Sequence, residues 1–370
     1  MTRPAIAVEP ATPADEPALR RLLREAPFAG ALSVTLEREP SFDLAAAVEG
    51  DRHQVLVGRL AGGEVVGMAA RSVRTALVNG APARLGYLGQ LRVGAAGRGR
   101  LGALRRGFTM LAADRRPDEL PFDLTSIVSD NGPARRLLEA GLRGMPSYRP
   151  LGDLVTLALS ARPRRDAAPP GTAIIRGAPE RLGEIAGFLR REGARRQLAP
   201  CPSAAELASP ERSRGLAPRD FLLVERGGRL VGCAALWDQR GFKQAVVRRY
   251  PAILALLRPL LSLAAPMLRL PRLPPVGVPV AAAFLAFLAV VDDDPVALDA
   301  LLDAALADAR ARHLDLLLLG LAARHPLLAR VKARPHLAYR SMLYAVHGPA
   351  GAAAVDALDG RLLGPEVATL

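Results

Sequence analysis

The residues with the most chemical meaning run from Tyr87 to Arg106: Tyr87-Leu88-Gly89-Gln90-Leu91-Arg92-Val93-Gly94-Ala95-Ala96-Gly97-Arg98-Gly99-Arg100-Leu101-Gly102-Ala103-Leu104-Arg105-Arg106. An apolar run, a glycine- and arginine-rich turn and a helical pattern follow one another without a spacer. The first amides of a helix lack intrahelical acceptors and sit at the positive end of its dipole, so this junction is an anion site. Glycines let backbone approach a phosphate closely, and Arg98 and Arg100 add charge. The expected ligand is a phosphate or pyrophosphate. No Gly-Lys-Ser/Thr follows, which excludes a P-loop, and no βαβ unit with a downstream acid fits a dinucleotide fingerprint. His53, His313, His325, His336 and His347 show no metal or triad spacing, so nothing supports a hydrolase.

The elements that must hold this junction can be read on either side of it. Ala5 to Val8 reads as a strand, and Pro13-Ala14-Asp15-Glu16 opens a helix with Leu19, Leu22 and Leu23 on one face. Gln54 to Leu60 and Glu64 to Ala76 read as strands joined by Ala61-Gly62-Gly63. The strand from Arg84 to Val93, a helix over Gly99–Ala113, the strand Phe122 to Val128 and a helix from Asn131 to Ala140 follow. Tyr148 to Leu159 closes with strand character. The same order returns after residue 172, and Gly62-Gly63-Glu64-Val65-Val66-Gly67-Met68-Ala69-Ala70 aligns without a gap on Gly227-Gly228-Arg229-Leu230-Val231-Gly232-Cys233-Ala234-Ala235. The expected division is 1–160, a proline-rich charged linker at 161–171, a second unit over 172–347 with an insertion at 239–279, and a tail at 348–370, part of it mobile. Ile253 to Leu270 reads as a buried or half-buried insertion helix, the alternative being an amphipathic helix, kinked at its prolines, on a membrane or partner surface.

Leu91-Arg92-Val93 ends a strand, Arg98 and Ala103 bracket the loop, and Asn131, Ala134, Gly141 and Leu142 mark a helix that stops at glycine. On these motifs the chain resembles the GNAT superfamily of acetyl-CoA-dependent N-acyltransferases over its whole first half. The resemblance implies an α/β (layered α+β) fold with two GNAT-like domains, each a mixed central sheet flanked by helices, the second degenerate. It implies that Leu91, Arg92 and Val93 border the pantetheine arm of acetyl-CoA, their backbone groups holding it. It implies that Arg98, Gly99, Arg100, Leu101, Gly102 and Ala103 hold the pyrophosphate, and that Asn131 contacts the CoA arm. Two departures stand out. Leu101 occupies the place of the family's first glycine, with Gly102 one position late. Leu137 and Leu138 stand where many members carry a tyrosine that protonates the leaving thiolate, and Tyr148 is the substitute. Glu37 and Glu39 fall where this fold borders the acceptor, and with Asp123 they are the candidates for the base; a solvated charge cluster is the other reading of each. Val291-Asp292-Asp293-Asp294-Pro295 reads as carboxylates capping a helix. They would repel a pyrophosphate, so acetyl-CoA is assigned to the first half.

The chain of 370 residues is 50% hydrophobic, enough for a large core in two domains. Its net charge of +14 comes almost wholly from arginine, since Lys243 and Lys332 are the only lysines. Aromatics are 4%, too few for a base-stacking platform, and the arginines are spread over both halves, so no nucleic-acid partner is expected. Cys201 and Cys233 form no disulfide framework, and the N-terminus has no apolar signal segment, so a cytoplasmic setting without membrane contact is expected. No metal is expected. The expected activity is transfer of acetyl from acetyl-CoA to a small-molecule or protein amine in a ternary complex. A non-catalytic acyl-CoA sensor and a tRNA-dependent aminoacyl transferase are the alternatives, and a homodimer is left open.

Overall fold

The computed structural model describes residues 5–27, 33–161, 173–268 and 273–370. The expected linker lies outside them except for Ala161, which is buried. In the first half the strands are β1 (Ile6–Pro10), β2 (Ser33–Glu37), β3 (Arg52–Leu60), β4 (Val65–Val78), β5 (Ala81–Val93), β6 (Glu119–Val128) and β7 (Ser147–Ser160). Its helices are α1 (Glu16–Glu25), α2 (Asp43–Glu49), α3 (Leu101–Ala113) and α4 (Gly132–Leu138). The second half has strands β8 (Ala173–Arg176), β9 (Arg196–Gln197), β10 (Ala199–Pro200), β11 (Phe221–Arg226), β12 (Arg229–Trp237), β13 (Gln244–Arg249), β14 (Ala282–Val290), β15 (Leu316–Ala322), β16 (His336–His347) and β17 (Leu362–Leu363). Its helices are α5 (Leu182–Gly193), α6 (Ala204–Ala208), α7 (Ala252–Leu268), α8 (Pro295–Ala311), α9 (Leu328–Lys332) and α10 (Ala352–Asp356).

The two halves share one thirteen-stranded sheet in the order β1-β3-β4-β5-β6-β16-β7-β15-β14-β12-β11-β8, with β10 against the end of β4. The last long strand of each half lies inside the other half's sheet. β16 runs antiparallel between β6 and β7, and β7 runs antiparallel between β16 and β15. Outward from this centre the two sides match: β5 is parallel to β6 as β14 is parallel to β15, and antiparallel strands follow on both sides. Helices cover both faces because strand side chains alternate. Leu56, Leu88 and Ile127 pack under α3 and α4, whereas Val57 and Met68 face α1 with Leu19, Leu22 and Leu23. In the second half Leu222 and Ala234 face α8, and Leu223 and Cys233 face α5. Burying each such leucine contributes about 1.5–3 kcal/mol.

Under α3 the sheet also buries charge. Arg71 donates to Glu119 (2.7 Å) and Asp123 (2.9 Å), Arg115 donates to Asp123 (2.6 Å), and Arg52 donates to Glu119 (2.7 Å). Glycine at 86 makes room for this network, since a Cβ there would lie 1.9 Å from Asp123 Oδ1.

Two expectations change. The segment after His347 is not loose: Val355, Ala368 and Thr369 are buried, and β17 pairs with β9. The insertion helix is not half-buried. α7 runs from Ala252 to Leu268 through Pro259 and Pro266, with Ile253, Leu256, Leu257 and Leu260 exposed. Among the described residues no helix is long and apolar enough to cross a membrane, and no group of three or more His, Cys, Asp or Glu could hold a metal.

Candidate functional site

The parallel pairing of β5 with β6 ends at Tyr87 opposite Leu124. Thr125 Oγ1 then donates to the Leu88 carbonyl (2.8 Å), and the strands part. On its other side β5 bulges: Gly89 pairs with Ala70 and Arg92 with Met68, so Gln90 and Leu91 stand opposite Ala69 alone. Gln90 takes φ 55° to make this turn. A bulge takes backbone groups off the ladder and aims them elsewhere, here into the gap between two diverging strands. Gly99 (φ 77°) leads through Arg100 into α3. Arg98 and Gly99 are exposed, and Gly102 has open space on its side-chain side. The gap, the bulge and the α3 N-terminus thus follow one another along the chain, with the helix start exposed. Leu101 is simply the first residue of the helix, so its missing glycine leaves the first-turn amides in place.

The two sides of this gap differ. On the α3 side Tyr148 shares an apolar cluster with Leu91 and Leu104. Its ring meets Phe108 at 6.3 Å and Tyr344 at 5.9 Å. Burial, with Asp123 adding to it, pushes its phenol well above the ordinary value, so it stays protonated. Asn131 N-caps α4 by accepting from the Ala134 N–H (3.3 Å), which commits its carboxamide oxygen to the helix.

On the opposite face His53, Ser72 and Tyr87 form one cross-strand row. His53 Nδ1 bonds Ser72 Oγ at 2.8 Å, and Nε2 is buried with no partner. Arg38 lies over the Phe42 ring at 4.4 Å and is ion-paired with Glu49, both buried. Burial holds His53 below its ordinary value, with Arg38 reinforcing this and Glu49 opposing it. Burial alone would raise the Glu49 carboxyl, yet Arg38 and Lys243 keep it below its usual range. Burial lowers Lys243 to about 8 and Arg92 to about 10. The row is therefore a polar strip, buried at Ser72 and half-buried at His53 and Tyr87, whose imidazole favours the neutral form.

The carboxylates expected as bases have other partners. Glu37 accepts from Thr35 and from Arg248 Nε (3.0 Å) of β13. Glu39 is paired with Arg20 (2.5 Å) and Arg24, and both Asp123 oxygens are taken by Arg71 and Arg115. His53 had no signal in the sequence, because its neighbours come from α2, β4 and the segment after β2.

The second half carries the same gap and closes it. Phe287 (φ 53°) and Leu288 bulge opposite Ala234. The Phe287 N–H donates to Glu366 Oε2 (2.6 Å), and Val367 fills the space beside Gly320. Burial raises the Glu366 carboxyl. At the α8 N-terminus Arg196 pairs with Asp293, Arg226 pairs with Asp294 (2.9 Å), and Asp294 caps the helix at the Val296 N–H (2.8 Å). What remains is a cavity of about 100 Å³ lined by Leu288, Gly320, His325 and Glu366 among others. A Cβ at position 320 would lie 2.1 Å from Val367 Cγ2. Gly320→Ala is therefore expected to cost about 1–3 kcal/mol and to raise hydrogen exchange across residues 363–370. Unchanged exchange there would show that this segment is not held by the cleft.

No family model matches the chain, and no curated protein does. Solved structures do. The GCN5-related glucosamine N-acetyltransferase region of a fungal multi-domain β-N-acetylglucosaminidase superposes with a TM-score of 0.58 at 12% identity over 94% of this chain. The chain spans only 38% of that protein's length. A GCN5-related N-acetyltransferase from Sphaerobacter thermophilus gives 0.53 at 16% identity, covering 92% of this chain and 95% of the other. The N-myristoyltransferase of Saccharomyces cerevisiae, solved with bound myristoyl-CoA, gives 0.57 at 13% identity, covering 94% and 79%.

Proposed function

We propose that this chain, which has the fold of the GCN5-related N-acetyltransferases, moves an acyl group from acyl-CoA to a primary amine. Acetyl-CoA is the first donor to test, and the first half carries the reaction. The observation that carries this reading is the contrast between two like gaps. In the second half a carboxylate and a valine fill the gap and acids cap its helix, whereas in the first half the bulge at Gln90 leads to an exposed, glycine-lined helix start with Arg98 beside it.

In this reading the acyl-CoA pyrophosphate lies on the first turn of α3 and against Arg98, and the thioester reaches the bulge. The amine nitrogen attacks the thioester carbonyl, whose oxygen takes on charge and is met by backbone N–H groups of the bulge. His53 Nε2 takes up the proton of the attacking amine through a chain of waters along the Tyr87–Ser72 row, because two strand spacings of about 4.8 Å each separate it from β5. Tyr87 is three residues before Gln90, about 10 Å of strand, so the acceptor lies along the row. The C–S bond breaks, and the thiolate takes the phenolic proton of Tyr148, which solvent then restores. Neutral His53 is suited to accept a proton and un-ionised Tyr148 to give one.

The test is release of free CoA thiol from acetyl-CoA with a panel of amines. Binding without release by any amine would favour a sensor, and no binding would end both readings. Arg98→Ala is expected to weaken CoA binding by ~1.5–3 kcal/mol, roughly ten- to hundredfold in Kd by calorimetry. Unchanged affinity would move the phosphate site elsewhere.

A further inference from the structure

We propose that α7 seats this protein on the surface of an anionic lipid bilayer. Its outward stripe is apolar: Ile253, Leu256, Leu257 and Leu260 are 75%, 79%, 41% and 65% exposed. Their i, i+3, i+4, i+7 spacing puts them on one face, while Leu254 and Arg258 on the other side are half-buried. A helix on an ordinary globular surface has the reverse arrangement. Val276 and Val278, in the strap that returns toward β14, are 56% and 46% exposed and extend the apolar surface.

The charge around this stripe says what covers it. Residues 239–291 contain seven arginines and lysines and no Asp or Glu. Arg240 is tied to Asp238 and Arg248 to Glu37, and Lys243 donates to the Ala368 and Leu370 carbonyls. Among the described residues Arg249, which is exposed, and Arg258 have no ion-pair partner. Apolar side chains for the acyl boundary and guanidinium groups for lipid phosphates are the two signals that together hold a protein on a bilayer. A free phosphate would gain nothing from the leucines. A second copy of the chain would bring arginine against arginine across a twofold axis, with no acid to offset it.

The base of the insertion is fixed to the body. β13 pairs with β2, and Tyr250 Oη donates to the Pro274 carbonyl (2.8 Å). α7 therefore acts as a fixed foot, and the proposal departs from the expectation of no membrane contact.

The experiment is flotation of the full chain with vesicles of phosphatidylcholine alone and with about 30% phosphatidylglycerol, at low and high salt. Wild type is expected to float with the anionic vesicles at least about tenfold more tightly than with neutral ones, and to be released by salt. Leu256→Glu/Leu260→Glu should lose this binding about tenfold or more while melting at the wild-type temperature, because both side chains are solvent-exposed. Arg249→Glu should weaken it without altering the apolar stripe. Flotation with neither vesicle, or equally with both, would overturn the proposal. So would a wild-type dimer in light scattering that the double substitution turns into a monomer, since the face would then belong to a second copy.

Discussion

His53→Gln is expected to lower kcat/KM for any amine that supports CoA release by about 10²-fold or more, with the affinity for acetyl-CoA unchanged. Glutamine keeps a polar group of similar reach beside Ser72 but cannot take a proton. The pH profile gives a second and sharper readout. Burial holds the imidazole below its ordinary value of 6.5, and only the neutral form accepts a proton. Expressed per unprotonated amine, the wild-type rate should therefore stay level as pH falls through 7 and drop only once pH passes the depressed value, below 6.5. His53→Gln should remove that acid limb. An unchanged rate and an unchanged limb would take His53 out of the reaction, leaving it as a packed ring against Phe42.

The second large effect is on stability. Asp123→Asn removes the charge that two guanidinium groups share under α3. Breaking a buried ion pair while leaving its partners in place costs about 3–5 kcal/mol. Arg71 keeps Glu119 (2.7 Å), which puts the expected loss near the lower end. It is measured as a fall in the urea midpoint at constant slope. Turnover per folded molecule should survive. A variant that keeps its stability and loses turnover would instead make Asp123 the base. Gly86→Ala, which directs a methyl group at the same carboxylate, should reproduce the stability loss.

How much of this was legible follows from how local each signal is. The strand, loop and helix from Tyr87 to Ala113 could be read because glycine, arginine and helical periodicity adjoin one another in the chain. Asn131-Gly132-Pro133 could equally be read as a helix start, and the carboxamide does cap α4. The acid run Asp292 to Asp294 was legible as caps, and Asp294 is one. What failed to show was everything set by distant pairing. Asp123 alternates correctly in a strand, but its burial against Arg71 and Arg115 depends on β4, two places away in the sheet, and on the segment after α3. His53 acquires its meaning from Ser72 across the ladder and from Arg38 and Glu49 packed above. β2 and β13 are short and unremarkable alone, and each is specified only by the other. The exposure of α7 was hidden because a leucine-rich helix has the same composition whether it faces a core or a bilayer.

The placement of β7 and β16 has a further consequence. Each half contributes a strand inside the other's part of the sheet, so the two halves interlock in the manner of a domain swap. The covalent connection sets the effective concentration at which the halves meet, and cutting it would leave two fragments annealed along the β6-β16-β7-β15 ladders. Neither fragment has a complete sheet alone, since without its counterpart β6 presents a bare edge and β7 has no partner on either side. The half proposed to carry the reaction thus depends for its folding on a half whose own gap is filled.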